Sequence, residues 1–333
     1  MNATRSCGIG GVRQVAGDAA AGALRGTFLW ASRRRGLARM AARSSLTRGI
    51  VQRFVAGEDL PAALHALERL HARGLSTTVD VLGESVTTAD AARAAADRYV
   101  ELLDALAERG LDRNVSVKLT QIGLDIDPDV CRANLLRILG RAAELDAFVR
   151  VDMEDHAHTD ATIDLVRQAH AAYPRVGVVI QAYLRRSAAD VALLNADRVR
   201  VRLCKGAYDE PADVAFAHKW EVDDNFRRLA EALLRDGEYP ALATHDELLV
   251  AWARGFAERE RIDHSRFEFQ MLYGIRRDLQ ERLAADGYTV RVYVPFGTEW
   301  YPYFMRRLAE RPANVLFMTR SVLRERRPRR RTA

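Results

Sequence analysis

The sequence predicts an α/β fold, a (βα)8 (TIM) barrel with extra N-terminal helices. Eight short apolar runs lie between Thr77 and Gly297, each followed by roughly 10–25 residues of helical pattern. Such alternation implies parallel strands joined by crossover helices, and eight units in about 250 residues suit a closed barrel. The GxGxxG turn that a dinucleotide-binding sheet places after an early strand does not occur there; Gly8-Ile9-Gly10-Gly11 precedes any strand.

The first ~45 residues lack steady periodicity. From Thr47 the run RGIVQRFVAGEDLPAALHALERLHARG reads as a helix ending at Gly74. The expected strands are then TTVDVLGE (77–84), NVSVKLTQIG (114–123), FVRVDMED (148–155), VGVVIQAYL (176–184), VRVRLCKGAY (199–208), ALATHD (241–246), FEFQMLYG (267–274) and VRVYVPFG (290–297). Helices are expected over Thr88 to Arg109, near 130–144, over 160–172 and over 213–236, with a last one after Gly297. This gives three regions: a basic arm over 1–45, partly disordered or helical, a barrel over 46–319, and an Arg-rich tail over 320–333.

Charge is unevenly laid out along the 333 residues. The net charge is +6, but residues 1–48 hold nine Arg against Asp18 alone, and 320–333 hold seven Arg against Glu325 alone. The body between is therefore acidic. Basic arms suit an anionic membrane surface or a nucleic acid, and solubilising tails remain equally open. No apolar run approaches the ~20 residues that span a bilayer. Cys7, Cys131 and Cys204 show neither disulfide nor zinc spacing, which points to a reducing compartment. Only Lys118, Lys205 and Lys219 are lysines, among 51 basic residues. Lys118 and Lys205 fall inside expected strands, where a compact ammonium is called for in place of a guanidinium fork.

In such barrels chemistry sits at the carboxyl ends of the strands. The polar residues gathered there are Asp80, Glu84, Lys118, Asp152, Glu154, Asp155, Gln181, Arg202, Lys205, Tyr208, Thr244, His245, Asp246, Gln270 and Tyr293. Buried charges are costly unless paired, so one of them could be a packing ion pair, but all eight expected strands each contributing at least one favours a site. After the eighth run, TEWYPYFMRRLAERP places Tyr303 one helical turn from Arg306 and Arg307, and Glu310 at i,i+4 from Arg306. A solvated helix face is the ordinary reading of an Arg-Arg pair. Position after the last strand argues instead for a fork that grips a small carboxylate bidentately.

The motifs VKLTQIGLDID, RVDMEDHAHTD, RLCKGAYDEP, ATHD, EFQMLYG and RVYVPFGTEWYPYFMRRLAERPAN resemble the proline dehydrogenase family, in order and at suitable spacing. RFVAGE and DVLGE also fit its single-domain bacterial, FAD-dependent members, and the likeness runs from about Phe54 to Phe317. The resemblance implies a barrel that binds FAD non-covalently and oxidises L-proline to Δ1-pyrroline-5-carboxylate, the first step of proline catabolism, with electrons passed to a membrane quinone. It implies that Arg306 and Arg307 hold the carboxylate and that Lys118 and Glu310 support that end. Tyr293, Tyr303 and Leu272 would line or cover the proline ring, and Tyr208 would border both ligands. Asp152, Gln181, Arg202, Lys205, Gly206, Ala207, Thr244, His245, Asp246 and Gln270 would contact FAD. Asp246 stands where family members often have Asn. The location expected is cytoplasmic, with peripheral association on the membrane's inner face, and no nucleic acid is expected as a partner. Two alternatives differ in class. A Schiff-base aldolase would use Lys118 or Lys205 as nucleophile. An inactive barrel would bind membrane or nucleic acid through its Arg arms.

Overall fold

The structure is a computed structural model that describes residues 51–310 apart from Glu84, with the backbone alone described for 306–310. The chain divides into two units, one of residues 54–298 and one joining 1–53 with 299–333. The expected boundaries at 45 and 319 fall outside the described residues.

The larger unit is a closed barrel of eight parallel strands in sequence order: β1 (Ser76–Val81), β2 (Asn114–Val117), β3 (Phe148–Val151), β4 (Val176–Gln181), β5 (Arg200–Cys204), β6 (Ala241–Ala243), β7 (Glu268–Leu272) and β8 (Thr289–Phe296). Closure is made by β1 on β8, in register from Ser76 opposite Arg291 to Val81 opposite Phe296. Between strands run α1 (Leu60–His71), which precedes β1, then α2 (Ala89–Glu108), α3 (Pro128–Glu144), α4 (Thr159–Ala172), α5 (Ser187–Ala196), α6 (Lys219–Asp236), α7 (Glu247–Arg259) and α8 (Arg277–Ala285). Helix starts follow local chemistry: the Asp59, Thr88, Asp127 and Asp246 side chains each accept an N–H of the first turn.

Alternation along the strands sorts residues between two surfaces. Val79, Val115, Val117, Val149, Val151, Val178, Val201, Leu203, Val292 and Val294 join the apolar core shared with the helices. The interleaved positions are Thr78, Asp80, Ser116, Arg150, Arg202, Glu268, Gln270 and Tyr293. They face the lumen, because hydrogen bonds join strands that are not neighbours: Arg202 of β5 donates to Ser116 Oγ of β2 at 3.0 Å. Most barrels fill this space with branched aliphatics. This lumen is polar and ionic.

Several expected boundaries move. The helix expected from Thr47 to Gly74 begins at Leu60. Gly57 lies at φ +140, and Ala56 N–H donates to Pro295 O at 2.9 Å, so this stretch runs extended along β8. The strands end one to six residues earlier than expected, most of all where beyond Val81, Val117, Val151, Gln181, Cys204 and Ala243 the backbone turns away from the sheet. Thr120–Ile122, for example, is a 3-10 turn whose Thr120 N–H donates to Glu154 at 3.0 Å. Lys118 and Lys205 accordingly stand one residue past their strands. The helix expected from 213 begins at Lys219, since 212–214 form a turn closed by Val214 N–H on Pro211 O, and Ala215 then bridges antiparallel to Leu184.

Candidate active site

The carboxyl ends of β1, β2, β3, β5 and β8 bring together one charge network. Lys118 Nζ donates to Asp80 Oδ1 at 2.9 Å and lies 3.6 Å from Asp152 Oδ2 and 3.4 Å from Tyr293 Oη. Tyr293 O–H donates to Asp152 Oδ2 at 2.7 Å, and Arg202 Nη1 donates to Asp152 Oδ1 at 2.8 Å. The Arg202 guanidinium also sits 5.2 Å from the Tyr293 ring centroid, within cation–π range. Asp80 is fully buried, and Lys118, Asp152 and Arg202 are nearly so. Two cations and two carboxylates thus balance each other's charge in a low-dielectric floor.

Burial alone would pull the Lys118 ammonium down, but Asp80 chief among its neighbours outweighs it and holds Lys118 charged well above its ordinary range. Burial, with Asp152 and Asp80 nearby, pushes the Tyr293 hydroxyl well up, so it stays a neutral donor. A Schiff-base lysine must shed its proton to attack. Lys118 is fixed in the opposite state, which removes the physical basis of the aldolase alternative at this residue.

Around the buried floor stands a half-buried rim. Lys205 contacts Asp223 Oδ1 at 2.5 Å and Asp246 Oδ2 at 2.9 Å. Asp246 also accepts Leu248 N–H and so caps α7. His245 Nε2 accepts the N–H of Leu272 at 2.9 Å, tying the β6 loop to the end of β7. Asp246 N–H donates to Thr244 Oγ1 at 3.1 Å. Gln181 donates to Glu154 O at 2.8 Å, and Glu154 is itself engaged by the Thr120 hydroxyl at 2.6 Å. Gly206, at φ +112, packs against Tyr183, where a Cβ would approach the ring to 2.2 Å. Only glycine fits there. It begins the turn that carries Ala207 and Tyr208, both half-buried.

Three buried polar atoms at this end have no hydrogen-bond partner among the described residues: Asp80 Oδ2, Arg202 Nε and Gln270 Oε1. Such atoms are ordinarily satisfied in native proteins, and the last two belong to side chains expected to face a cofactor. Arg202 Nε is a donor and Gln270 Oε1 an acceptor, which fits a group with both acceptors and donors on its polar edge. No group of three His, Cys, Asp or Glu side chains among the described residues is placed to hold a metal ion.

Against these geometries the comparisons are decisive. A family model for proline dehydrogenase matches residues 63–320. The chain belongs to the proline dehydrogenase family. It is 41% identical over 302 residues to Proline dehydrogenase 1 of Bacillus subtilis (strain 168), covering 91% of this chain and 100% of that protein. It is 42% identical over 279 residues to Proline dehydrogenase of Deinococcus radiodurans, covering 82% and 90% respectively. Among solved structures, proline utilization A (PutA) from Bdellovibrio bacteriovorus, inactivated by N-propargylglycine, matches with a TM-score of 0.74 at 28% identity. That match covers 79% of this chain, which spans 32% of the PutA chain.

For this family member the structure brings Asp80, Lys118, Asp152, Arg202 and Tyr293 into one network, and it sets Gln181, Lys205, Gly206, Ala207, Tyr208, Thr244, His245, Asp246, Gln270 and Leu272 at the strand ends around it. The last helix among the described residues, α9 (Trp300–Glu310), forms as expected, with Tyr303 buried and Arg306 and Glu310 one turn apart along the backbone. The side chains of Arg306, Arg307 and Glu310, and all of Glu84, lie outside the described residues. Asp155 pairs with His158 at 2.6 Å instead of with a member of the network. Sequence reasoning missed Ser116, Tyr99 and Asp223. Tyr99 donates to Ser116 O at 2.8 Å and Ser116 Oγ receives Arg202, so both brace the floor from beneath. Tyr99 reads as part of the apolar stripe of α2, and no sequence pattern separates it from core.

Proposed function

We propose that this protein oxidises L-proline to Δ1-pyrroline-5-carboxylate with FAD as its bound cofactor and a membrane quinone as the electron acceptor. The observation that carries the reading is the Asp80–Lys118–Tyr293–Asp152–Arg202 network at the carboxyl mouth of a barrel belonging to this family. FAD, when bound, supplies the hydride acceptor, and Asp152, Gln181, Arg202, Lys205, Gly206, Ala207, Tyr208, Thr244, His245, Asp246 and Gln270 are the residues proposed to hold it.

The chain's own part is binding and charge placement. Oxidation removes a hydride from carbon and a proton from nitrogen, and it needs the amine neutral. Both carboxylates of the floor are spent on Lys118 and Arg202, so neither is left to favour an ammonium. The fixed Lys118 charge and the paired Arg306 and Arg307 are proposed to draw the substrate carboxylate to one end. Tyr293, Tyr303, Leu272 and Tyr208 would exclude water from the ring, and Glu310 would orient Arg306. The basic arms are proposed to seat the protein on the inner face of the membrane, close to the quinone.

The purified protein should be yellow, release intact FAD on acid or heat, and lose its visible flavin absorption when L-proline is added without air. A colourless protein that cannot be reconstituted with FAD overturns the reading. A flavoprotein that D-proline bleaches as well as L-proline overturns the substrate assignment.

A further inference from the structure

The opposite, amino-terminal mouth of the barrel holds a second concentration of charge that the proposed chemistry does not use. A cavity of about 360 Å³ opens there, lined among others by Arg113, Arg150, Arg175, Arg200, Arg291 and Tyr239. Three carboxylates line it too, and all are engaged by two of the arginines: Arg291 pairs with Glu268 at 2.9 Å and Asp112 at 3.5 Å, and Arg175 with Asp146 at 3.1 Å. Arg113, Arg150 and Arg200 have no carboxylate partner among the described residues.

Arg150 is the unusual member. It is 3% exposed, and its Nη1 donates to Val178 O at 3.1 Å and to Arg200 O. Its Nε is buried with no partner. An unpaired buried guanidinium is costly, yet the fold makes room for this one. Gly177 lies directly opposite Arg150 in the β3–β4 register, and a Cβ on Gly177 would come 2.7 Å from Arg150 Nη1 and 2.4 Å from Arg200 O. The Arg150 and Arg200 guanidinium groups both sit over the Phe148 ring, at 4.8 and 5.5 Å, and Arg200 also lies 5.1 Å from the Tyr239 ring. Aromatic faces fix the planes of the cations and leave their in-plane N–H edges to donate.

We propose that this mouth is a binding site for a phosphate dianion, carried by inorganic phosphate or by a small phosphate monoester. Three guanidinium groups without a carboxylate partner lining one cavity suit a tetrahedral dianion with many acceptor oxygens, whereas a carboxylate occupies a single fork. The volume admits a small organic group beside the phosphate. Burial and the nearby Arg202 and Arg200 charges hold the Arg150 guanidinium well below its ordinary value, a strain that a bound dianion relieves. The site is independent of the proline reading, because none of its residues belongs to the carboxyl-end network.

Titration calorimetry and thermal melts of the full-length flavin-loaded protein test it, with inorganic phosphate, glycerol 3-phosphate, succinate and chloride at matched ionic strength. Saturable one-to-one binding of phosphate, glycerol 3-phosphate or both is expected, with a rise in Tm that chloride does not give. Arg113→Gln and Arg200→Gln, whose side chains are partly exposed, should each weaken that Kd roughly tenfold or more and leave proline turnover with a soluble dye unchanged. Arg150→Met should abolish binding if it folds. Binding of phosphate alone identifies the free ion, and equal binding of the ester identifies a phosphometabolite. No saturable binding, equal binding by the variants, or succinate binding as tightly as phosphate overturns the proposal.

Discussion

At the residue scale, Lys118 shows why one lysine persists in a chain that otherwise uses arginine. Three oxygens, from Asp80, Tyr293 and Asp152, surround its Nζ at 2.9, 3.4 and 3.6 Å. A compact ammonium meets them with rotatable donors, whereas a planar fork on a longer stem cannot enter that space. Lys118→Arg should therefore lose turnover almost as fully as Lys118→Ala, on the order of 100-fold for misplacing the floor. Steady-state kinetics with a soluble dye check this, and a fully active Lys118→Arg enzyme would make the ammonium incidental. A second residue carries a pH signature. His158 bridges Asp155 at 2.6 Å and Asp125 at 2.7 Å. Burial alone would lower its imidazole, but the two carboxylates outweigh it and raise it above the ordinary 6.5. The folded state holds the proton more tightly than the unfolded chain. The bridge's stabilisation is whole below pH 6.5 and is lost as pH rises through the raised value. Roughly 0.2–1 kcal/mol is expected for so exposed a bridge. Denaturant melts of His158→Gln should show that pH dependence flattened across this window.

At the element scale, each strand hands over to a loop sooner than its apolar pattern suggests. The apolar run continues because the loop is buried too, and what ends the strand is a side chain that competes for the backbone. Thr120 N–H bonded to Glu154 is one such contact. Asp246 shows the same economy, capping α7 through one oxygen and pairing with Lys205 through the other. Asp246→Ala should cost about 1 kcal/mol for the lost cap, while Asp246→Asn keeps the cap and sheds only the ion pair. Thermal melts should thus rank the native protein and Asp246→Asn close together, with Asp246→Ala clearly below. An Ala variant as stable as the native protein would show that the cap contributes nothing. The α9 helix was legible from spacing alone, since TEWYPYFMRRLAERP opens with small polar residues and keeps helical periodicity.

At the scale of the whole molecule, the barrel lumen carries charge at both ends, with the proposed substrate chemistry at the carboxyl mouth and the arginine cavity at the amino mouth. The remaining charge asymmetry lies in the arms, which the sequence makes basic on an acidic body. None of the helices among the described residues is long and apolar enough to cross a membrane, so any approach to quinone would rest on surface attraction. Each Arg near an anionic surface contributes about 1 kcal/mol, screened beyond a Debye length of roughly 8 Å. Deleting residues 320–333 should leave turnover with a soluble dye intact and lower turnover with quinone embedded in anionic liposomes, more so at low salt. Equal co-sedimentation of full-length and shortened protein with those liposomes would refute the docking role.

The sequence alone determined the strand count, the parallel order and the family, because βα alternation is a local pattern and the motifs at the strand ends are contiguous in the chain. It also pointed to Asp80, Lys118, Asp152, Arg202 and Tyr293, since charged residues inside apolar runs stand out. It did not say that these five pair with one another. Their pairing joins residues up to 175 positions apart, and only closure of β1 on β8 brings Tyr293 beside Lys118. Nor could it say what Arg150 and Arg202 each meet, since both are arginines flanked by valine or leucine in a strand. The register decided that Arg202 meets Asp152, while Arg150 meets Gly177 and two carbonyls and keeps its charge unmatched.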